Sequence, residues 1–241
     1  PETRPCAGVR QTRRPRLIDP ARALQRGRQD RAFGGRLRQP APEISRGCTP
    51  FQGEGLAAGL GDATPPDLTE MIDIGPVDVP EEGPDTACWH GPEAGQHFHP
   101  NLWPEGPPGF EAALTAYYRR MNALADDLMR AFALALDLPE GFFEDKLDRN
   151  MSALRVIRYP EQLEPPKPGQ LRGGAHTDYG SLTILAQDDV GGLQVMNRDG
   201  DWVQAPPIPG TFVINIGDLI QRFTNDIYLA NLHRVVNTSG R

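Results

Sequence analysis

Apolar residues recur every three or four positions after Phe110, at Leu114, Tyr117, Met121, Leu124, Leu128, Phe132 and Leu136. That spacing lays one apolar stripe along a helix of several turns and predicts a helix over residues 110–138. Pro107-Pro108-Gly109 precedes the stripe and Pro139 follows it, as helix breakers should. A stripe of this kind is scaffold, here a buttress for a sheet. A second, short helix is predicted over 142–147. The pattern then changes to short apolar runs between turn residues, which predicts strands over 153–159, 181–187, 193–197, 202–204, 211–216 and 232–236. Asp199-Gly200, between Leu193-Gln194-Val195-Met196 and Trp202-Val203-Gln204, is a strong hairpin signal. One long helix followed by many short strands points to a mainly β sandwich or barrel, not to a parallel α/β sheet.

Upstream of the long helix the pattern is irregular. Residues 48–109 are dense in Pro and Gly and read as an extended segment, with Phe51, Trp89, Phe98 and Trp103 as anchors that pack it onto the barrel. Residues 1–47 form an atypical arm with twelve Arg and no Lys against four acidic residues, net +8. The rest carries 13 basic and 28 acidic residues, net −15, so the overall charge of −7 conceals two unlike parts. Only residues 16–24 of the arm look structured, as a short strand running into a turn. Without interleaved aromatics or a recognisable motif, and with an acidic remainder that repels phosphate, the chain is not expected to bind nucleic acid. Three parts are therefore expected: the arm over 1–47, the extended segment over 48–109, and a helix plus barrel over 110–241.

At 241 residues the chain can bury a sizeable core. It has no apolar run of transmembrane length and no signal-like N-terminus, so a soluble, cytoplasmic protein with no membrane partner is expected. Cys6, Cys48 and Cys88 are odd in number, far apart and outside any C-x-x-C, which argues against a disulfide framework or a zinc knuckle and suits a reducing compartment.

The candidate chemistry lies in His176-Thr177-Asp178, answered by His233 in Leu232-His233-Arg234-Val235-Val236. Two imidazoles and one carboxylate occupy one face of a divalent metal and leave the opposite positions open, which is the facial triad of non-haem Fe(II) oxygenases. Side chains at i and i+2 of a strand share a face, so His176 and Asp178 converge if their segment is extended. The third ligand must then come from a strand alongside. A zinc hydrolase can use the same set, but it needs a nearby general base, and no further His or Glu is close in sequence. A non-catalytic metal-binding barrel is a third reading. His97 and His99 form another H-x-H without a third partner and read as loop residues, as does His90.

Four ordered blocks make the reading more specific. They are the run from His176 to Leu185, then Gly191-Gly192-Leu193-Gln194-Val195, Phe212-Val213-Ile214-Asn215-Ile216-Gly217-Asp218, and His233-Arg234-Val235-Val236-Asn237. Together they resemble the isopenicillin N synthase-like branch of the 2-oxoglutarate/Fe(II)-dependent dioxygenases. Residues 49–75, with Gly53-Glu54-Gly55-Leu56 and Pro65-Pro66-Asp67-Leu68, resemble its upstream part, so the likeness covers 46–241. The resemblance implies a double-stranded β-helix (jelly-roll) barrel with a helical buttress. It implies His176, Asp178 and His233 as ligands of Fe(II), and 2-oxoglutarate as cosubstrate within reach of Tyr159 in Arg158-Tyr159-Pro160. It further implies O2 and a small molecule as substrates, ascorbate as reductant, and hydroxylation, desaturation or cyclisation coupled to decarboxylation of 2-oxoglutarate. The relatives act on diverse molecules, so it names neither a prime substrate nor an oligomeric state.

Some positions depart from the family pattern. Ile157 stands where relatives often have Asn. The family's R-x-S, roughly nine or ten residues beyond the distal His, pairs a guanidinium with the far carboxylate of the cosubstrate. Here the sequence ends at Arg241, eight residues past His233, so the anchor is expected to be absent and the barrel to lack its last strand. Arg234 is expected to point away from the metal into a structural ion pair. Asp218 is expected to shape a turn at the barrel mouth, and Gln221-Arg222-Phe223-Thr224 to border it near the substrate.

Overall fold

The computed structural model describes residues 44–61, 64–83, 86–91, 94–95 and 97–238. Cys6, Arg241, the element expected over 16–24 and nearly all of the arm lie outside the described residues. In chain order the strands are β1 (Gly47–Thr49), β2 (Glu70–Ile74), β3 (Leu154–Arg158), β4 (Gly173–His176), β5 (Leu182–Leu185), β6 (Leu193–Met196), β7 (Trp202–Gln204), β8 (Val213–Ile216) and β9 (His233–Val235). The α-helices are α1 (Ala87–His90), α2 (Phe110–Ala135), α3 (Glu144–Leu147) and α4 (Asp218–Phe223), with a 3-10 turn at Leu56–Leu60. The architecture is mainly β with few helices. All strand pairings among the described residues are antiparallel, in three sheets ordered β1-β2-β3, β4-β9-β6-β7 and β5-β8.

The long helix forms where the apolar stripe predicts it but stops at Ala135. Asp137 adopts a left-handed φ of 57°, and the Leu138 N–H turns back to the Ala133 carbonyl at 2.9 Å. Pro139 disfavours helical backbone at the residue before it, so the chain has to leave the helix here. The two ends of α2 pack on different partners. Phe110 and Leu114 join Ile72 and Ile74 of β2, with Leu154 and Val156 of β3 against them. Met129 and Ala133 join Phe143 and Ile220, flanked by Leu182 of β5 and Ile216 of β8. One helix thereby braces two sheets. The fully buried line drifts off the simple stripe, taking in Tyr118 instead of Tyr117 and Met129 instead of Leu128.

The stretch expected to be loop requires a correction, because it contains β1, β2, the 3-10 turn and α1. Surrounding Pro and Gly conceal the five residues of β2, yet β2 is the central strand of its sheet, and Met71, Ile72, Asp73 and Ile74 are all buried. Alternation sends Ile72 and Ile74 to the helix and Asp73 to the opposite face. There Asp73 is paired in register with Arg155 of β3, which binds both its oxygens at 2.7 and 3.1 Å and reaches Glu54 Oε2 at 2.9 Å. A carboxylate only 1% exposed is tolerable because that bidentate partner is present. Arg158 pairs with Glu70 farther along the same strands.

The helix–sheet contact predicts an asymmetric response to truncation. Leu114→Ala should destabilise the chain by about 2–5 kcal/mol in urea unfolding. Leu134→Ala, on the exposed side of the same helix, should stay within about 0.5 kcal/mol. Equal effects would show that α2 does not brace the sheet.

Candidate metal centre

Strands β4 and β9 run antiparallel, and their register sets His176 directly opposite His233. Between Gly173↔Val235 and His176↔His233 the pairing slips, so β4 carries one more residue than β9 over that interval. A bulge of this kind re-aims side chains beside a site. The imidazole centroids lie 4.2 Å apart with planes inclined at 51°.

Strand pairing ends at His176, so Asp178 does not continue β4 as the i, i+2 argument assumes. It is held instead by the start of α4, where the Asp218 N–H donates to the Asp178 carbonyl at 2.7 Å. The chain approaches so closely that a Cβ on Gly217 would fall 2.0 Å from the Gly180 carbonyl oxygen. Despite this different support, the three side chains meet: their candidate ligand atoms all lie within 4.8 Å of one another. Asp178 Oδ1 is 3.8 Å from His176 Nε2 and 3.7 Å from His233 Nε2.

The hydrogen bonds fix which ring atoms face inward. His176 Nδ1 lies 2.8 Å from the Gly174 carbonyl, and His233 Nδ1 lies 3.0 Å from the Asn231 carbonyl. A carbonyl only accepts, so each Nδ1 carries a hydrogen, and in the neutral ring the lone pair is then on Nε2, the atom on the side of Asp178. Burial holds the His176 imidazole below its ordinary pKa, opposed by its bond to Gly174 and reinforced by the facing His233. The neutral ring that a metal requires is therefore favoured. Side-chain exposures of 8% for His233, 17% for Asp178 and 19% for His176 leave the cluster shielded but not sealed.

Sequence reasoning misses two supports of the site. Asn215, buried on β8, donates from Nδ2 to Asp178 Oδ2 at 3.3 Å. Asp67, 2% exposed, accepts the Leu56 N–H and the Gly174 N–H, both at 2.9 Å, and so ties the 3-10 turn to the strand that bears His176. Burial pushes the Asp67 pKa up, against the pull of those two donors and of His176. A signal existed for each. Asn215 is the polar residue in the apolar run Val213-Ile214-Asn215-Ile216, and Asp67 interrupts Pro65-Pro66-Asp67-Leu68.

Tyr159 follows β3, partly buried, with the Arg172 guanidinium 5.9 Å from its ring centroid. Burial pushes its hydroxyl up to about 12, with the field of Asp67 adding and that of Arg172 opposing, so it remains protonated. Asp218 is the first residue of α4 and not part of a turn as expected, and it accepts from Thr177 Oγ1 at 3.4 Å. Arg234 corrects the expected ion pair: its guanidinium stacks 4.0 Å over Trp202 and donates to Gln194 at 2.7 Å. Gln221 and Thr224 turn to the following loop, accepting the Ala230 N–H at 2.7 Å and the Tyr228 N–H at 3.2 Å. Phe223 between them stays 64% exposed. His97 and His99 use their carbonyls to accept from Arg46, and neither joins the cluster.

Known proteins resemble this chain in sequence and fold. Residues 150–241 match the model of the 2OG-Fe(II) oxygenase superfamily. A 2-oxoglutarate-Fe(II) type oxidoreductase of Emericella nidulans is 41% identical over 147 residues, spanning 59% of this chain and 42% of that protein. A homoarginine-6-hydroxylase of Oryza sativa subsp. japonica is 43% identical over 145 residues, spanning 58% and 44% respectively. A full-length Neurospora crassa protein, solved in complex with alpha-KG and thymine, aligns with a TM-score of 0.70 at 29% identity, covering 90% of this chain and 65% of that one. The matches thus span less than half the length of the two curated relatives. The likeness to the 2OG-Fe(II) oxygenase superfamily thus lies in residues 150–241, the part that the family model matches. No helix among the described residues is long and apolar enough to cross a membrane.

The clasp on β4 predicts a contrast between neighbouring glycines. A Cβ on Gly174 would meet the Ala57 nitrogen at 2.9 Å and its Cβ at 3.0 Å, whereas one on Gly173 would meet Val235 at an ordinary 3.4 Å. Gly174→Ala should cost about 1–3 kcal/mol of stability and weaken Co(II) binding. Gly173→Ala should do neither. Parallel urea titrations with and without Co(II) compare the two.

Proposed function

We propose that this chain is the metal-bearing part of an Fe(II)/2-oxoglutarate-dependent dioxygenase of the isopenicillin N synthase-like branch. The carrying observation is the convergence of His176 Nε2, His233 Nε2 and Asp178 Oδ1. Two neutral nitrogens and one carboxylate oxygen suit Fe(II), and the tethered Nδ1 atoms leave the inward atoms free for it. These three residues would hold the iron. When bound, the metal and 2-oxoglutarate supply the oxidising power for attack on a C–H bond of a small molecule, with O2 as the other substrate.

The chain's own part is orientation and shielding. The Gly174 and Asn231 carbonyls keep both rings in one tautomer. Tyr159 keeps its proton and would donate it in a hydrogen bond to the cosubstrate carboxylate. Residues 110–241 act as the helix-braced barrel, of double-stranded β-helix type, and 48–109 pack against it. The two segments are joined, because β2 pairs with β3 in one sheet and the first turns of α2 pack on β2. Exposed Tyr179, Leu219, Phe223 and Ile227 follow the Asp178 segment and line α4 and its return loop, where an apolar substrate face would be met. The thymine in the Neurospora crassa complex and the homoarginine of the rice relative's name support a small-molecule substrate without choosing one.

A hydrolytic alternative is disfavoured by the surroundings. Asp67, the carboxylate besides Asp178 whose field reaches His176, already accepts a backbone N–H on each oxygen and is poorly placed to serve as a base.

Succinate formation from 2-oxoglutarate with Fe(II) and ascorbate tests the proposal. The chain should form succinate, His176→Ala should fall to the iron-free level, and zinc should not replace iron. Equal rates for the chain and His176→Ala would overturn the assignment. Iron binding without succinate would favour a barrel that only binds metal.

A further inference from the structure

The two oxygens of Asp178 have different surroundings. Oδ1 faces both imidazoles, at 3.8 and 3.7 Å from their Nε2 atoms. Oδ2 accepts from Asn215 Nδ2 at 3.3 Å. A carboxylate can only accept, so the amide of Asn215 must turn its NH2 toward it. Asn215 is buried, and its place on β8 is fixed by pairing with Thr183 of β5, between the Ile184↔Ile214 and Leu182↔Ile216 pairs. The main chain of Asp178 is pinned separately by the Asp218 N–H at 2.7 Å. What freedom remains is rotation of the carboxylate about its own side chain, and the Asn215 amide opposes that rotation.

A carboxylate can chelate one cation through both oxygens or bind through one. Each oxygen that binds occupies a coordination position no outside ligand can take. We propose that Asn215 is a positioning residue that restricts Asp178 to ligation through Oδ1, keeping one further position on the ion open to exchangeable ligands. The inference rests on the triad reading above. Asn215 touches neither cosubstrate nor reacting atoms in this role. It acts through Asp178, by giving Oδ2 a partner other than the ion.

Mn(II) provides a probe that reports on both affinity and bound water. Asn215→Leu keeps the branched outline of the side chain and removes the donor, and Asn215→Ala removes both. Titration by electron paramagnetic resonance gives affinity, and water-proton relaxation gives the number of exchangeable waters on the bound ion. Both variants should retain Mn(II) within roughly 100-fold of the parent affinity, the usual scale for losing a ligand's outer partner. The ion they bind should carry one exchangeable water fewer, because Oδ2 has taken its place. Thermal unfolding identifies which variant is folded, and either one suffices. An unchanged water number would overturn this role while leaving the triad standing. If the parent chain bound Mn(II) no better than His176→Ala, the triad itself would fall and this role with it.

Discussion

Two imidazoles can share an ion only if their strands are held in a register that faces them, and in this chain the β4–β9 pairing does that. His176 and His233 stand opposite each other because the bulge in β4 absorbs one residue between Gly173 and His176. Side-chain direction in a strand alternates residue by residue, so a slip of one position would send a ring to the other face. The surrounding structure resists such a slip from several sides. Asp67 grips the Gly174 N–H, and β6 pairs with the other edge of β9, with Val195 opposite His233. The long helix braces the two other sheets, β1-β2-β3 at one end and β5-β8 at the other.

The site also separates supporting the backbone from aiming the side chains. Hydrogen bonds to the Asp178 carbonyl and the Gly174 N–H fix where the chain runs. Bonds from the two Nδ1 atoms and from Asn215 fix where each ligand atom points. Polar groups buried in an apolar strand are costly unless partnered, and here their partners are the ligands or the strand beneath them. The same rule holds outside the site, where Asp73 lies buried on β2 only because Arg155 of β3 meets it with two hydrogen bonds.

The His176, Asp178 and His233 cluster, the long helix and the later strands other than β4 are legible in the sequence because each depends on a local pattern. His176, Asp178 and His233 are a spacing, α2 is a stripe, and β6–β7 are announced by Asp199-Gly200. The misses have a common physical origin in long-range contact. β2 looks like loop among its prolines, and only its neighbours β1 and β3 make it a central strand. Arg234 finds Trp202 and Gln194 across a sheet, which no spacing reveals. Asn215 and Asp67 stand out as polar residues among apolar or rigid neighbours, but the groups they serve lie 37 and 107 residues away. The long helix ends short of its predicted limit because Asp137 turns out of it ahead of Pro139.

The antiparallel register of β4 and β9 has a consequence for how the chain assembles. The two histidines bracket the hairpin of β6 and β7, the β5–β8 pair and α4, so an ion held by both rings would leave none of that excursion loose. Closing so long a segment is entropically slow and is rewarded only when its ends meet. A divalent ion arriving at that moment would work as a latch on the finished fold, linking metal supply to the survival of the folded chain.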